Sequence, residues 1–99
     1  MPVVRIAVIE GDHDEVVPLY KAISEKMMSS DGQRPRVHIA MKTPKGVRVA
    51  NLWASEAEAD AAGERLQKVF AELGVAAGRA TFEQYEVINA LADGKPVSF

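Results

Sequence analysis

From Arg36 to Trp53 the chain reads as two strands broken once, at Thr43-Pro44-Lys45-Gly46, and a helical period flanks the pair on each side. Val37, Ile39 and Met41 share one parity, and Arg36, His38, Ala40 and Lys42 the other, the period of two that marks a strand. The break has Pro early and Gly last, as a tight turn requires. Gly46 to Trp53 is therefore predicted as the antiparallel partner. A hairpin fenced by helices leaves few architectures open, and the outer segments narrow them further.

Ahead of the hairpin, Val3, Val4, Ile6, Val8 and Ile9 predict a buried strand that Glu10-Gly11-Asp12 ends. His13 to Met28 predicts a helix, because Val16, Tyr20, Ile23 and Met27 form one stripe. Asp12 and Asp14 are candidate N-caps, and Pro18 is expected to be tolerable only in the first turn. Ser29 to Pro35 predicts a loop. Beyond the hairpin, Ser55 and Glu58 spell a capping box, in which the hydroxyl takes one free amide and the carboxylate another. Ala62, Leu66, Val69, Phe70 and Leu73 give that helix its apolar stripe, and Gly74 its stop. Thr81 to Asn89 predicts the last strand, and residues 90–99 an irregular tail. Strand, helix, hairpin, helix, strand is the split βαβ order of the ferredoxin-like fold. The expectation is a single α+β domain over 1–99, with a four-stranded antiparallel sheet and two helices on one face.

Composition removes several classes of function. The net charge is −2, with no basic excess to grip phosphate backbones, so nucleic acid is not an expected partner. With no cysteine and two histidines, one subunit has no thiolate site and too few imidazoles for a histidine-rich metal centre. No phosphate-binding glycine loop, HExxH or nucleophile elbow occurs. The apolar opening Pro2 to Ile9 carries Arg5 and runs into Glu10 and Asp12, which is not the pattern of a signal peptide. No run approaches the ~20 apolar residues of a membrane helix. The expected setting is the cytoplasm.

Sorting strand residues by parity predicts two faces. Val4, Ile6, Val8, Val37, Ile39, Met41, Val47, Val49, Asn51, Trp53, Tyr85 and Val87 are expected against the helices. Val3, Arg5, Ala7, Ile9, Arg36, His38, Ala40, Arg48, Ala50, Leu52, Glu86 and Ile88 are expected on the other side, too apolar for water. That surface predicts a homodimer joined through sheet faces, with Arg5, Arg48 and Glu86 as candidate ion-pair partners.

Candidate functional residues follow from this sorting. Asn51 is a polar group on a helix-facing strand, either bonded to nearby backbone or aimed into a ligand cavity. Trp53 on the same face is a core indole or a stacking surface. Tyr85 is expected to share that wall, where its hydroxyl either reaches a substrate phenol or sits at the solvent edge. Tyr20 and Met27 are expected on the opposite wall, as substrate contacts or as core. His38 is a candidate proton-transfer group, because imidazole titrates near neutrality, or else an interface histidine. His13, among Asp12, Asp14 and Glu15, reads as a solvated helix start.

Val37-His38-Ile39-Ala40, Gly46-Val47-Arg48-Val49, Leu52-Trp53-Ala54-Ser55 and Tyr85-Glu86-Val87 together resemble the dimeric α+β barrel superfamily, specifically small proteins of the antibiotic biosynthesis monooxygenase (ABM) type. The similarity in pattern spans nearly the whole chain. It implies a homodimer whose two sheets form a barrel with helices outside. It also implies a pocket in each subunit between sheet and helices, where an Asn and Trp pair serves several relatives. Relatives include cofactor-free oxygenases of electron-rich aromatics, haem-degrading enzymes and isomerases. Many similar proteins carry a histidine where this chain has Ile88, and no second histidine is suited to haem iron, which argues against haem degradation. The resemblance implies a cofactor-independent monooxygenase of a small aromatic metabolite. The competing expectations are a non-catalytic small-molecule-binding dimer and a purely structural one in which Trp53 fills the space itself.

Overall fold

The computed structural model describes all residues from 1 to 99. In chain order the elements are β1 (Val3–Glu10), α1 (His13–Ser29), β2 (Val37–Thr43), β3 (Gly46–Trp53) and α2 (Glu56–Glu72). A 3-10 turn (Ala77–Arg79), β4 (Thr81–Glu86), β5 (Leu91–Ala92) and β6 (Lys95–Pro96) complete the chain. The first four strands make one antiparallel sheet ordered β2-β3-β1-β4, and both helices pack against it. This α+β arrangement is consistent with a ferredoxin-like fold. No helix is long and apolar enough to cross a membrane.

Local chemistry explains the boundaries. Gly46 opens β3 at φ +154°, where a Cβ would come within 2.2 Å of the Ile9 carbonyl oxygen, so only glycine fits this close approach to β1. Ser55 caps α2 through its hydroxyl, which accepts from the Glu58 amide at 3.2 Å, while Glu58 accepts from the Ala54 amide at 3.2 Å. Glu58 also pairs with Arg36 at 3.3 Å, tying the start of α2 to the approach to β2. Asp12 is the N-cap of α1 by backbone, but its side chain makes no capping bond. Past the other end of α1, Arg34 donates to the Met27 carbonyl at 2.7 Å and fixes the loop into β2.

Two local expectations are corrected. Pro18 stands in the second turn of α1, not the first, and the helix continues through it to Ser29. The carbonyl that loses its N–H partner there is that of Asp14; both residues are exposed, so it is not sealed away from solvent. The tail is not wholly irregular. β4 ends at Glu86, and Asp93 (φ 52°) with Gly94 (φ 71°) forms the tight turn of the β5–β6 hairpin. The tail is tied near both ends: the Val87 amide donates to the Pro2 carbonyl at 2.9 Å, and Arg36 donates to the Phe99 carbonyl at 3.3 Å.

The largest correction concerns the faces. β1 is registered on β3 with Val3 opposite Trp53, Arg5 opposite Asn51 and Ile9 opposite Val47. Directly opposed residues share a face. The helix side therefore carries Val3, Arg5, Ala7 and Ile9 of β1, Val47, Val49, Asn51 and Trp53 of β3, and His38, Ala40 and Lys42 of β2. Val4, Ile6, Val8, Val37, Ile39, Met41 and Tyr85 lie on the side without helices, the reverse of the expected sorting. Parity agrees with the structure on β3 alone. β1 is apolar on both faces, so its pattern carries no sign. On β2 the pattern identified a greasy face but not which layer covers it.

The core lies between sheet and helices in two parts. The main cluster joins Ile9, Val47 and Val49 to Val16 and Ile23 of α1, Val69 and Phe70 of α2, and Ala80. A second joins Val3 and Trp53 to Ala59 and Ala62 of α2. The sheet row that separates them is the polar one.

Candidate functional site

On the helix side, His38, Asn51, Arg5 and Gln84 follow one another across β2, β3, β1 and β4, each directly opposite the next. A polar row through an apolar layer is costly unless its members satisfy one another. Arg5 Nε donates to Gln84 Oε1 at 2.7 Å, Arg5 donates to the Ala59 carbonyl at 2.9 Å, and its third contact is the Asp60 carboxylate. One guanidinium thereby pins α2 to the sheet. Gly63 lies alongside, where a Cβ would make ordinary contact with Arg5 at 3.4 Å.

The other half of the row is a chain of hydrogen bonds. His38 Nδ1 lies 2.6 Å from Asn51 Oδ1, and His38 Nε2 lies 2.6 Å from the Tyr20 hydroxyl. The two rings are nearly parallel, 12° apart, with centroids 6.0 Å from each other. The fold sets this geometry simply. Asn51 and His38 are opposed on neighbouring strands, and Tyr20 lies on the α1 stripe that packs against the main core. β2 is an edge strand whose His38, Ala40 and Lys42 are exposed on the helix side, so the chain of bonds opens to solvent.

Protonation follows from the partners. An amide oxygen only accepts, so His38 carries its proton on Nδ1. In the neutral ring Nε2 is then bare and accepts from the Tyr20 hydroxyl. The Asn51 Nδ2 amide makes no hydrogen bond within the protein and is not sealed from solvent, so it remains a donor for a ligand oxygen.

Of the six residues singled out in the sequence, Tyr20, His38 and Asn51 come together. Trp53 is two residues along the same strand face but only 5% exposed, packed against Val3, Ala59 and Ala62. Met27 is half-buried against the main core. Tyr85 stands on the opposite face, so it shares no wall with Asn51 and Trp53. Its hydroxyl donates to Glu83 Oε2 at 2.8 Å. That bond, and then the Glu83 charge, hold the phenol above its usual range, with Arg48 opposing. A phenol whose proton is held by Glu83 in this way is a weaker acid than an ordinary tyrosine.

His38 is not at a sheet-to-sheet face, as expected, but beneath α1. Arg5 and Glu86 are likewise on the helix side. Arg48 alone of the three candidate interface charges is on the open face, 3.9 Å from Glu83. Gln84 is the site residue that the sequence reading missed, and Arg5, expected in an ion pair between subunits, instead joins this row. An arginine in the middle of an apolar strand was the available signal.

No three of the His, Asp and Glu side chains converge where a metal ion could sit. Shallow concavities lined by Ala22, Glu25, Lys26, Ser29 and Leu73, and by Val8, Glu10, Thr43, Pro44, Lys45 and Arg48, lie away from the polar row. Comparison of the sequence with protein-family models and with curated proteins finds no match.

Proposed function

We propose that this protein works as a homodimer and handles the proton of a small hydroxylated aromatic metabolite beside Tyr20, His38 and Asn51. The reaction favoured by its resemblance to ABM-type proteins is cofactor-independent monooxygenation, in which a deprotonated, electron-rich ring meets oxygen. The observation that carries the reading is the engagement of His38 at both ring nitrogens by Asn51 and Tyr20. An imidazole fixed in tautomer and orientation is what general acid–base chemistry needs. The free amide of Asn51 is available to orient a substrate oxygen.

The dimer is supported by the open sheet face. Ile39, Met41 and Tyr85 are 52%, 40% and 53% exposed there, beside Val4, Ile6 and Val8. A folded 10.7 kDa monomer is expected to expose about 5,500 Å². This subunit exposes 6349 Å². The excess, roughly 850 Å², is shared between this face and the tail, where Ile88 is 98% and Leu91 56% exposed.

Burial of Trp53 favours a second reading, a purely structural dimer in which the indole fills the space itself. With its indole packed among Val3, Ala59 and Ala62, it has the role of core rather than of a stacking platform. Oxygen uptake with anthrone- and quinol-type compounds separates the two. The first reading predicts uptake above background that His38→Gln abolishes. The absence of both uptake and binding of these compounds leaves the second.

A further inference from the structure

We propose that the ligand-facing group of this site is the Tyr20 hydroxyl, which takes a proton from a phenolic or enolic O–H while passing its own to His38. The inference rests on the proton-handling reading above and names the group that touches the ligand.

Both edges of the His38 ring are occupied, at 2.6 Å by Asn51 Oδ1 and at 2.6 Å by Tyr20. An imidazole so engaged has neither a lone pair nor an N–H left for a third partner. A substrate proton therefore reaches Nε2 only by displacing Tyr20 or by passing through it. The hydroxyl suits passage. It spends its one hydrogen on Nε2, keeps its lone pairs, and makes no other hydrogen bond in the protein. The Tyr20 ring is held against the main core, so the hydroxyl is fixed by packing as well as by His38.

The step balances without a co-reactant. The substrate O–H bond breaks as a new O–H bond forms on Tyr20. The original Tyr20 O–H breaks as Nε2–H forms. The substrate is left as an oxyanion, Tyr20 is neutral before and after, and His38 becomes an imidazolium with Nδ1–H still on Asn51. No electrons change hands. Because the final base is an imidazole, the chemistry selects hydroxyls much more acidic than an aliphatic alcohol, namely phenols, quinols and enols.

The test uses 4-nitrophenol, whose colour separates phenol from phenolate. At a pH below its own midpoint, the dye bound to the wild-type protein is expected to show at least a tenfold higher phenolate-to-phenol ratio than free dye. Tyr20→Phe and His38→Gln are each expected to return that ratio to the free value, with circular dichroism confirming the fold. A shift that survives Tyr20→Phe overturns the proposal, because His38 is then reached directly. So does a wild-type protein that leaves the dye unshifted. A second measurement needs no variant. Nitrogen NMR of His38 is expected to show Nδ1–H with a bare Nε2, and the opposite tautomer overturns the relay. Loss of oxygen uptake with the dye shift intact defeats only the oxygenase reading.

Discussion

The carboxamide oxygen of Asn51 lies 2.6 Å from Nδ1 of His38, across a strand pair in which the two residues stand directly opposed. Sheet register thus sets the tautomer of an exposed imidazole. A slip of one residue would send one side chain to the opposite face and break the contact.

Asn51→Ala removes the acceptor that selects Nδ1–H. His38 is expected to become a mixture of tautomers by NMR, and turnover of an accepted substrate to fall by about tenfold, less than the ~100- to 10,000-fold that an acid–base group itself contributes. Stability should drop by only about 0.5–1.5 kcal/mol in urea unfolding, as for one ordinary hydrogen bond. Unchanged turnover would remove Asn51 from the site.

Trp53→Ala tests whether the indole is core. Emptying the space among Val3, Ala59 and Ala62 is expected to cost about 3–5 kcal/mol, and Trp53→Phe distinctly less. A loss under ~1 kcal/mol would mean that the ring does not support α2.

Arg5→Met tests the other half of the row. It strips hydrogen bonds from Gln84, the Ala59 carbonyl and Asp60. Amide exchange around Ala59 to Gly63 is expected to speed up while the far end of α2, at Val69 and Phe70, stays protected. Equal loosening along the helix would show that Arg5 acts on global stability instead.

Tyr85 gives a prediction at high pH. Its folded-state pKa is raised above the ordinary value of 10.0, first by the hydrogen bond to Glu83 and then by that residue's charge. The folded state therefore holds the proton more tightly than the unfolded one. This contribution to stability is fully present below the unfolded pKa and disappears as pH rises through the folded one. An absorbance titration of tyrosinate should show one group ionising late, and Glu83→Gln should bring it earlier. A titration unmoved by Glu83→Gln would contradict the contact.

Much of the fold was legible in the sequence because its signals are local. The capping box at Ser55 and Glu58, the glycine at position 46 and the two helical stripes each name an element and its limits. The faces were not legible in the same way. β1 has valine or isoleucine on both sides, so only pairing with β3 decides that Val3 and Ile9 point inward. Parity puts Asn51 on the correct side, yet its partner His38 on the wrong one. The contact between them depends on the offset of two strands, which no single strand records. The β5–β6 hairpin was legible in principle, since Asp93-Gly94 is a turn pair, but each of its strands is only two residues long.

Whether a second copy closes the open sheet face is the most direct test, and sedimentation equilibrium at micromolar concentration measures it. The expected result is a species of twice the 10.7 kDa subunit mass, reduced to a folded monomer by Ile39→Lys with Met41→Lys. A wild-type chain that stays monomeric, with Ile39, Met41 and Tyr85 in water, would contradict the account.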